Sequence, residues 1–136
     1  MATEYNIADT SVGTRFLGAY AAHDWDGLRD LMDENVTWEL PGTAAISGRV
    51  QGVEAAIVRV QQIIAGGTNT ELLNVLTGQS AVALSLHNTA EKDDGRVLDE
   101  YLTTLLRIRD GKIWAIETYV SDVPMVERFF GSAPGL

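Results

Sequence analysis

The feature that most constrains the fold of this chain is Asp110-Gly111, a dipeptide that stands between two long runs of β-branched and apolar residues. A two-residue type I′ turn needs positive φ at both central positions, and Asp-Gly is one of the pairs that adopt it most readily. The flanking runs, 97–109 and 112–121, are therefore predicted to form a long β-hairpin. A short helix is expected to follow it, beginning near Asp122.

The composition is typical of one globular domain spanning 1–136, because 46% of the 136 residues are hydrophobic. The net charge of −9 disfavours nucleic acid and anionic membrane surfaces as partners, since both require a basic binding surface. No apolar run reaches the roughly 18 residues of a membrane span. The first six residues lack the basic and apolar regions of a signal peptide, so a cytoplasmic location is expected.

The absence of cysteine excludes disulfides, thiol nucleophiles and thiolate metal sites. The two histidines, His23 and His87, lie far apart in the sequence and form no paired ligand motif. Neither a metal site nor a cofactor is therefore expected.

Three helices are predicted in the first half of the chain, at about 8–22, 25–32 and 53–64, from apolar residues at helical spacing. Asp9 or Ser11 can cap the first helix, and Asp24 is the expected N-cap of the second. These two helices are expected to form a helical hairpin.

Strands are predicted from alternating or β-branched runs at 36–40, 70–77, 80–88, 97–109 and 112–121. A loop is expected through Ser47-Gly48. The arrangement predicts an α+β fold, with a curved antiparallel sheet of about four to six strands. The three helices would cover one face of this sheet and form a cone-like pocket, and the short C-terminal helix would close the domain.

Three phrases of the sequence, taken in order, resemble the nuclear transport factor two-like superfamily and its SnoaL-like and ketosteroid-isomerase-like branch. The first runs from Phe16 through Tyr-Ala-Ala-His-Asp-Trp-Asp-Gly-Leu. The second is Val36-Thr-Trp-Glu-Leu-Pro-Gly, followed by Ser47-Gly-Arg and Gly-Val-Glu-Ala-Ala-Ile57. The third is Arg107-Ile-Arg-Asp-Gly-Lys-Ile113 with Tyr119-Val-Ser-Asp122. The resemblance covers nearly the whole chain and implies the same α+β pocket fold.

Two catalytic sets known in this superfamily are missing from the matching positions. Ketosteroid isomerases use a carboxylate base, a tyrosine and a protonated aspartate, and these positions correspond to Leu40, Phe16 and Thr104. The limonene epoxide hydrolases use an Asp-Arg-Asp set, which falls near Thr118, Thr104 and Leu102. Neither mechanism is expected here, because these side chains cannot exchange the required protons.

The SnoaL-like polyketide cyclases imply a third possibility, in which an aspartate near the end of the last strand acts as the base. Asp122 stands at that place, with Tyr20 and His23 as further catalytic candidates. The same residues have structural interpretations. Asp122 precedes Val-Pro, a pattern that is typical of a helix N-cap. Tyr20 is also expected to form part of the pocket wall. His23 is expected to lie in solvent or at the C-terminal end of the first helix.

Strand alternation, read with the resemblance, predicts an apolar and aromatic pocket with few polar groups. Glu100 is a possible second pocket acid, or else a solvated carboxylate paired with Arg96 or Lys112. The predicted pocket residues are Phe16, Tyr20, Trp38, Leu40, Val60, Glu100, Leu102, Thr104, Trp114, Ile116, Thr118 and Val120.

Two functional hypotheses follow. In the first, the chain binds a hydrophobic polyketide-like or polycyclic metabolite and acts as a cofactor-free cyclase or isomerase-type enzyme by proton abstraction. In the second, it is a non-catalytic ligand-binding protein or a dimeric interaction module. Arg59 is expected to be exposed, or else to lie at the pocket edge, where it could hold an acidic substrate. Glu117 and Tyr119, on the opposite face of the sheet, are expected to lie in a homodimer interface.

Overall fold

The structure is a computed structural model that describes residues 7–132. The prediction about a signal peptide concerns residues 1–6 and falls outside this range. Four helices are present in it, α1 (Thr10–Ala22), α2 (Trp25–Leu31), α3 (Val53–Ala65) and α4 (Val123–Phe130). The six strands are β1 (Met32–Leu40), β2 (Gly48–Gln51), β3 (Asn69–Thr77), β4 (Ala81–Glu91), β5 (Val97–Arg109) and β6 (Lys112–Val120). Within 7–132, no helix is both long and apolar enough to cross a membrane.

The predicted N-caps of the first two helices are confirmed. The side chain of Asp9 accepts a hydrogen bond from the backbone N–H of Ser11, and that of Asp24 accepts one from Gly27. These bonds satisfy backbone donors that have no partner inside the helix. Helix α1 ends at His23, which adopts a left-handed conformation with φ of 55°.

The six strands form one curved sheet in the order β2-β1-β6-β5-β4-β3. The α+β fold is thus confirmed. The prediction of a wholly antiparallel sheet is corrected in one pair: β1 and β6 are parallel, whereas the other four strand pairs are antiparallel, so the sheet is mixed. Strand β2 begins at Gly48, where a loop is predicted. The sequence gives no signal for this strand, because Gly48-Arg-Val-Gln51 is too short and polar to show an alternating pattern.

The hairpin of β5 and β6 forms as predicted, with positive φ at Asp110 (54°) and Gly111 (76°). It also contains a bulge that is not predicted from the sequence. Arg107 pairs with Ala115, and the next residue, Ile108, pairs with Ile113, which leaves Trp114 without a partner. A bulge of this kind shifts the phase of side-chain alternation along the strand.

The main hydrophobic core fills the space between the helices and one face of the sheet. Its fully buried members include Leu28, Leu106 and Phe129. Arg59 of α3 lies in this core with only 3% of its surface exposed, so the prediction that it is exposed is wrong. Its guanidinium group donates hydrogen bonds to three backbone carbonyl oxygens, those of Trp38, Ser47 and Gly48, which take the place of water as its partners.

Candidate functional site

A cavity lies between α1, α3 and the inner face of the sheet. The space inside it that the centre of a water molecule can occupy is about 50 Å³. Most of the surrounding side chains are apolar. The lining residues are Phe16, Leu17, Tyr20, Trp38, Leu40, Ile63, Thr70, Leu84, Leu86, Asn88, Leu102, Thr104 and Thr118.

Two threonines and a tryptophan form a hydrogen-bonded group in the cavity wall. The indole Nε1 of Trp38 donates to Oγ1 of Thr118 over 3.0 Å, and the hydroxyls of Thr118 and Thr104 are 3.2 Å apart. Both threonines are buried. Their hydroxyls offer hydrogen bonds but no general base at neutral pH.

Tyr20 lines the cavity from α1. Burial raises the pKa of its phenol to about 12, and a hydrogen bond to Thr68 offsets part of that rise. The hydroxyl of Thr68 itself donates to the backbone oxygen of Ile63. Tyr20 therefore keeps its proton at neutral pH and acts as a neutral hydrogen-bonding group.

Glu100 is a buried acid of β5, directly across from the cavity-lining Asn88 of β4, and only 4% of its surface is exposed. Desolvation raises the pKa of this carboxyl to about 7, with a smaller upward contribution from Asp122, while a hydrogen bond from Asn88 opposes the rise. Its Oε2 atom has no hydrogen-bond partner among the described residues.

The expected partners of Glu100 are engaged elsewhere. Arg96 bonds to Asp94, and the ammonium group of Lys112 donates to the backbone oxygen of Asp30. The interpretation of Glu100 as a solvated or paired surface carboxylate is therefore wrong. Inward alternation on β5 places this side chain in the interior, beside α4.

Asp122 is the N-cap of α4, and its Oδ1 accepts a hydrogen bond from the backbone N–H of Met125 over 3.0 Å. The Pro-containing first turn follows directly. Asp122 does not line the cavity. Its negative charge nevertheless acts on Glu100, so the two carboxyl groups lie at the same end of the domain.

His23 lies outside the cavity. It is exposed at the end of α1, and its ring stacks on Trp25 with centroids 5.5 Å apart. Its backbone N–H closes the helix by donating to the carbonyl oxygens of Ala19 and Tyr20, and its side chain is not part of the cavity lining. Of the three catalytic candidates from the sequence, Tyr20 lines the cavity, whereas His23 and Asp122 do not.

Seven of the twelve predicted pocket residues line the cavity: Phe16, Tyr20, Trp38, Leu40, Leu102, Thr104 and Thr118. Val60 and Ile116 lie instead in the core with no exposed surface. Trp114 is the bulged residue, and its ring packs under the guanidinium group of Arg109 at 4.7 Å. Val120, near the end of β6, packs at the edge of the core, and Glu100 pairs with Asn88 across β4 and β5 without lining the cavity.

Sequence reasoning missed six lining residues. The signal was present for those on β4, because Val82, Leu84, Leu86 and Asn88 alternate with residues of the opposite face. Asn88 is the polar residue of that row. The full set of missed residues is Leu17, Ile63, Thr70, Leu84, Leu86 and Asn88.

No group of side chains within 7–132 has the composition and spacing of a metal site. His87, the second histidine, lies on the opposite face of the sheet, where it stacks on Tyr101 and its Nε2 is 2.6 Å from Oδ1 of Asp99. The histidines therefore do not contribute to the cavity.

The mixed sheet, the three covering helices and the apolar cavity define the class of small α+β proteins with an NTF2-like fold. Within that class, the chain belongs to the SnoaL-like domain family, whose sequence pattern matches residues 14–116. An uncharacterized protein of Mycobacterium tuberculosis is 25% identical over 126 residues, covering 90% of this chain and 96% of its own length.

Solved structures share the fold over almost the whole chain. Bal32a, from a soil-derived mobile gene cassette, has a TM-score of 0.82 and 26% identity, with 88% of this chain and 94% of that chain covered. A candidate SnoaL-like polyketide cyclase from Jannaschia sp. has a TM-score of 0.77 and 16% identity, with 98% and 99% covered.

Proposed function

We propose that this protein binds a small hydrophobic molecule, of the polycyclic or polyketide-like class, in the cavity between α1 and the sheet. The observation that carries the proposal is the cavity lining, in which apolar side chains surround a few fixed hydrogen-bonding groups. Such a surface desolvates an apolar ligand and orients it through one or two polar atoms. The family and the fold of the candidate polyketide cyclase support this ligand class.

The proposal predicts that a cavity-filling variant loses ligand binding. Leu102→Trp places a larger side chain in the lining, whereas Leu76→Trp makes the same change at a residue that is 52% exposed on the edge strand β3. In a thermal-shift screen of polycyclic and polyketide-like compounds, a ligand at 100 times its Kd stabilises the native state by about 2.7 kcal/mol. Wild type and Leu76→Trp are expected to show the shift, and Leu102→Trp to lose it.

Equal ligand-induced shifts in all three proteins would place the ligand outside the cavity. The unliganded melting temperature of each variant, measured in the same experiment, separates loss of binding from loss of folding.

A second candidate function is cofactor-free cyclisation or isomerisation, in which Asp122 removes a proton from the bound molecule. Asp122 stands at the end of β6, where its charge acts on the buried Glu100, and a bound molecule would have to extend beyond the cavity lining to reach it. Its Oδ1 already accepts the hydrogen bond that caps α4. In this mechanism one carboxylate would serve both the helix and the reaction.

Two substitutions of Asp122 separate these roles. Asparagine is as good an N-cap as aspartate, so Asp122→Asn is expected to keep its stability, whereas Asp122→Ala is expected to lose about 1 kcal/mol. If Asp122 is the base, Asp122→Asn abolishes conversion of a stabilising compound, as followed by chromatography of the reaction mixture. Full conversion of the compound by Asp122→Asn would show that Asp122 is not the catalytic base.

The outer face of the sheet is the basis for the alternative of a dimeric interaction module. Tyr101 and Tyr119 expose 56% and 58% of their surface on this face, and Tyr119 donates to Glu117. Large exposed aromatic side chains on a sheet favour a second protein surface as partner. A homodimer through this face and a cytoplasmic location stay predictions.

A further inference from the structure

Three neighbouring side chains of the cavity wall, Trp38, Thr104 and Thr118, carry one more hydrogen than they use among themselves. The indole nitrogen and the two hydroxyls each offer one hydrogen for bonding. The three side chains make two hydrogen bonds, from Trp38 to Thr118 over 3.0 Å and between the two hydroxyls over 3.2 Å. One hydroxyl hydrogen is therefore left over.

This surplus is the same whichever threonine donates to the other. An indole N–H can only donate, so Thr118 accepts from Trp38 in either arrangement. If Thr118 donates to Thr104, the hydrogen of Thr104 is left over, and if Thr104 donates, that of Thr118 is left over. Neither hydroxyl makes a further hydrogen bond among residues 7–132.

The surroundings of the left-over hydrogen are buried and apolar. Thr104 and Thr118 expose only 5% and 6% of their surface, and both side chains line the cavity. Leu84 lies directly across from Thr104 on β4, and Leu102 precedes it on the same face of β5. Because buried donors nearly always have an acceptor, we expect a molecule in the cavity to supply one.

The other polar groups of the lining do not supply that acceptor. Oδ1 of Asn88 already accepts from the hydroxyl of Thr70 over 2.7 Å. Asn88 also lies four residues beyond Leu84 on β4, which is about 13 Å along a strand. Tyr20 keeps its proton at neutral pH and so adds a hydrogen to the lining.

The chemistry of the missing acceptor follows from the composition of the lining. The described lining residues include no Asp, Glu, Lys, Arg or His, so a charged group would be desolvated there without a counter-ion. A ligand hydroxyl would bring a further hydrogen into this apolar part of the cavity. A carbonyl oxygen is neutral, accepts a hydrogen bond and brings no hydrogen of its own.

We propose that the hydroxyls of Thr104 and Thr118 form a docking point for a carbonyl oxygen, so that the ligand is a neutral ketone, aldehyde, ester or lactone with an apolar body. This inference rests on the proposed function of the cavity as a ligand site. The carbonyl oxygen accepts the left-over hydrogen, and the apolar part of the molecule lies against Leu84 and Leu102.

Two single-ring probes of nearly the same shape test the inference, and their size suits the small space inside the cavity. Cyclohexanone carries a C=O group where methylenecyclohexane carries a C=CH₂ group. Their Kd values are measured by NMR titration of the Trp38 indole N–H resonance. The ratio of the two Kd values reports the hydrogen bond to the carbonyl, because the apolar rings are alike.

Two variants show whether the threonine hydroxyls are responsible. The double variant Thr104→Val/Thr118→Val keeps the shape of both side chains, and a valine methyl group replaces the Oγ1 atom that covers the Trp38 N–H. Relative to methylenecyclohexane, cyclohexanone is expected to lose at least about fivefold in affinity there, because its carbonyl is desolvated without a donor. In Thr103→Val, the same change on the outer face of β5, the wild-type ratio is expected to remain.

The outcomes separate this inference from the function that it assumes. If both probes bind and the ratio changes by less than about fivefold in the double variant, the carbonyl site is wrong and the ligand cavity stands. If neither probe moves the Trp38 resonance of wild type, the cavity does not take such molecules, and both proposals fail.

The orientation of cyclohexanone in wild type decides the question if the double variant does not fold. Nuclear Overhauser effects are expected between the ring protons beside the carbonyl and the methyl groups of Thr104 and Thr118. Their absence, or effects from the protons opposite the carbonyl instead, would overturn the inference.

Discussion

Replacing Arg59 with alanine is expected to lower the free energy of unfolding by about 3 kcal/mol and the melting temperature by about 10 °C. Arg59 donates to the backbone oxygens of Trp38, Gly48 and Ser47 over 3.0 to 3.1 Å. Truncation leaves these acceptors without the donor that joins α3 to β1 and β2. It also removes the cation stacked on the Trp38 ring at 5.5 Å, so the cavity wall loosens.

The guanidinium group carries an energetic cost that limits this effect. Burial lowers the pKa of Arg59 to about 10, so the group stays charged at neutral pH in a poorly hydrated setting. Part of the lost bonding energy is therefore recovered when the charge is removed. Arg59→Lys keeps the charge but not the planar fork of donors, and is expected to fall between wild type and Arg59→Ala.

Arg49→Ala is the matched control, because Arg49 is exposed on the neighbouring strand β2. Its effect is expected within about 0.5 kcal/mol of zero. Urea denaturation of the four proteins measures all of these values. A loss below about 1 kcal/mol in Arg59→Ala would contradict the structural role of the buried guanidinium.

The second large effect is a loss of stability with rising pH that depends on Glu100. The folded protein holds the pKa of this carboxyl at about 7, above its ordinary value of 4.5. A raised folded pKa means that the native state binds the proton more tightly, so stability is fully present below pH 4.5 and is lost as the pH rises through 7. Between pH 5.5 and 8.5 this contribution falls by about 2 kcal/mol.

Glu100→Gln is expected to remove this loss, because the amide is neutral at every pH. At pH 5.5 the free energy of unfolding of the variant should match that of wild type to within about 1 kcal/mol. At pH 8.5 the difference between the two proteins should have shifted by about 2 kcal/mol in favour of the variant. The difference in the free energy of unfolding between the two proteins is measured, since the contributions of groups that the two proteins share cancel in it.

Glu117→Gln is the control for this experiment. Arg107 lowers the pKa of the Glu117 carboxyl, which is then ionised over the whole range from pH 5.5 to 8.5. Its difference from wild type should therefore not change with pH. A constant difference between wild type and Glu100→Gln would mean that Glu100 titrates at its ordinary pKa and is not desolvated.

Local signals in the sequence predict the architecture of this domain well. Asp110-Gly111 requires a turn with positive φ, and the two strands beside it cannot pair in another register without losing that turn. Asp9 and Asp24 determine where α1 and α2 begin because their side chains bond to the first helical N–H groups. Such interactions span a few residues and are visible without tertiary structure.

The interior polar residues are not predictable in this way. Arg59 and Glu100 look like surface residues, because charged side chains are usually exposed and their burial depends on groups far away in the sequence. Arg59 bonds to carbonyls that lie 11 to 21 positions before it. The bulge at Trp114 also escapes prediction, since it is set by pairing with Arg107 and Ile108.

The candidate site is partly predictable from the sequence. Alternation along β5 and β6 correctly brings Leu102, Thr104 and Thr118 to the cavity. The place of Asn88 follows from the same rule on β4, but its pairing with Glu100 follows only from the register of the two strands. The sequence thus identifies the faces of the strands, and the structure identifies which polar groups meet.

A crystal structure of the protein with the most stabilising compound from the thermal-shift screen would show where that compound binds. Electron density for the compound is expected between α1 and the sheet, in contact with Trp38 and Leu102 and displacing the cavity solvent. Density on the outer face of the sheet, against Tyr101 and Tyr119, would contradict the cavity as the ligand site.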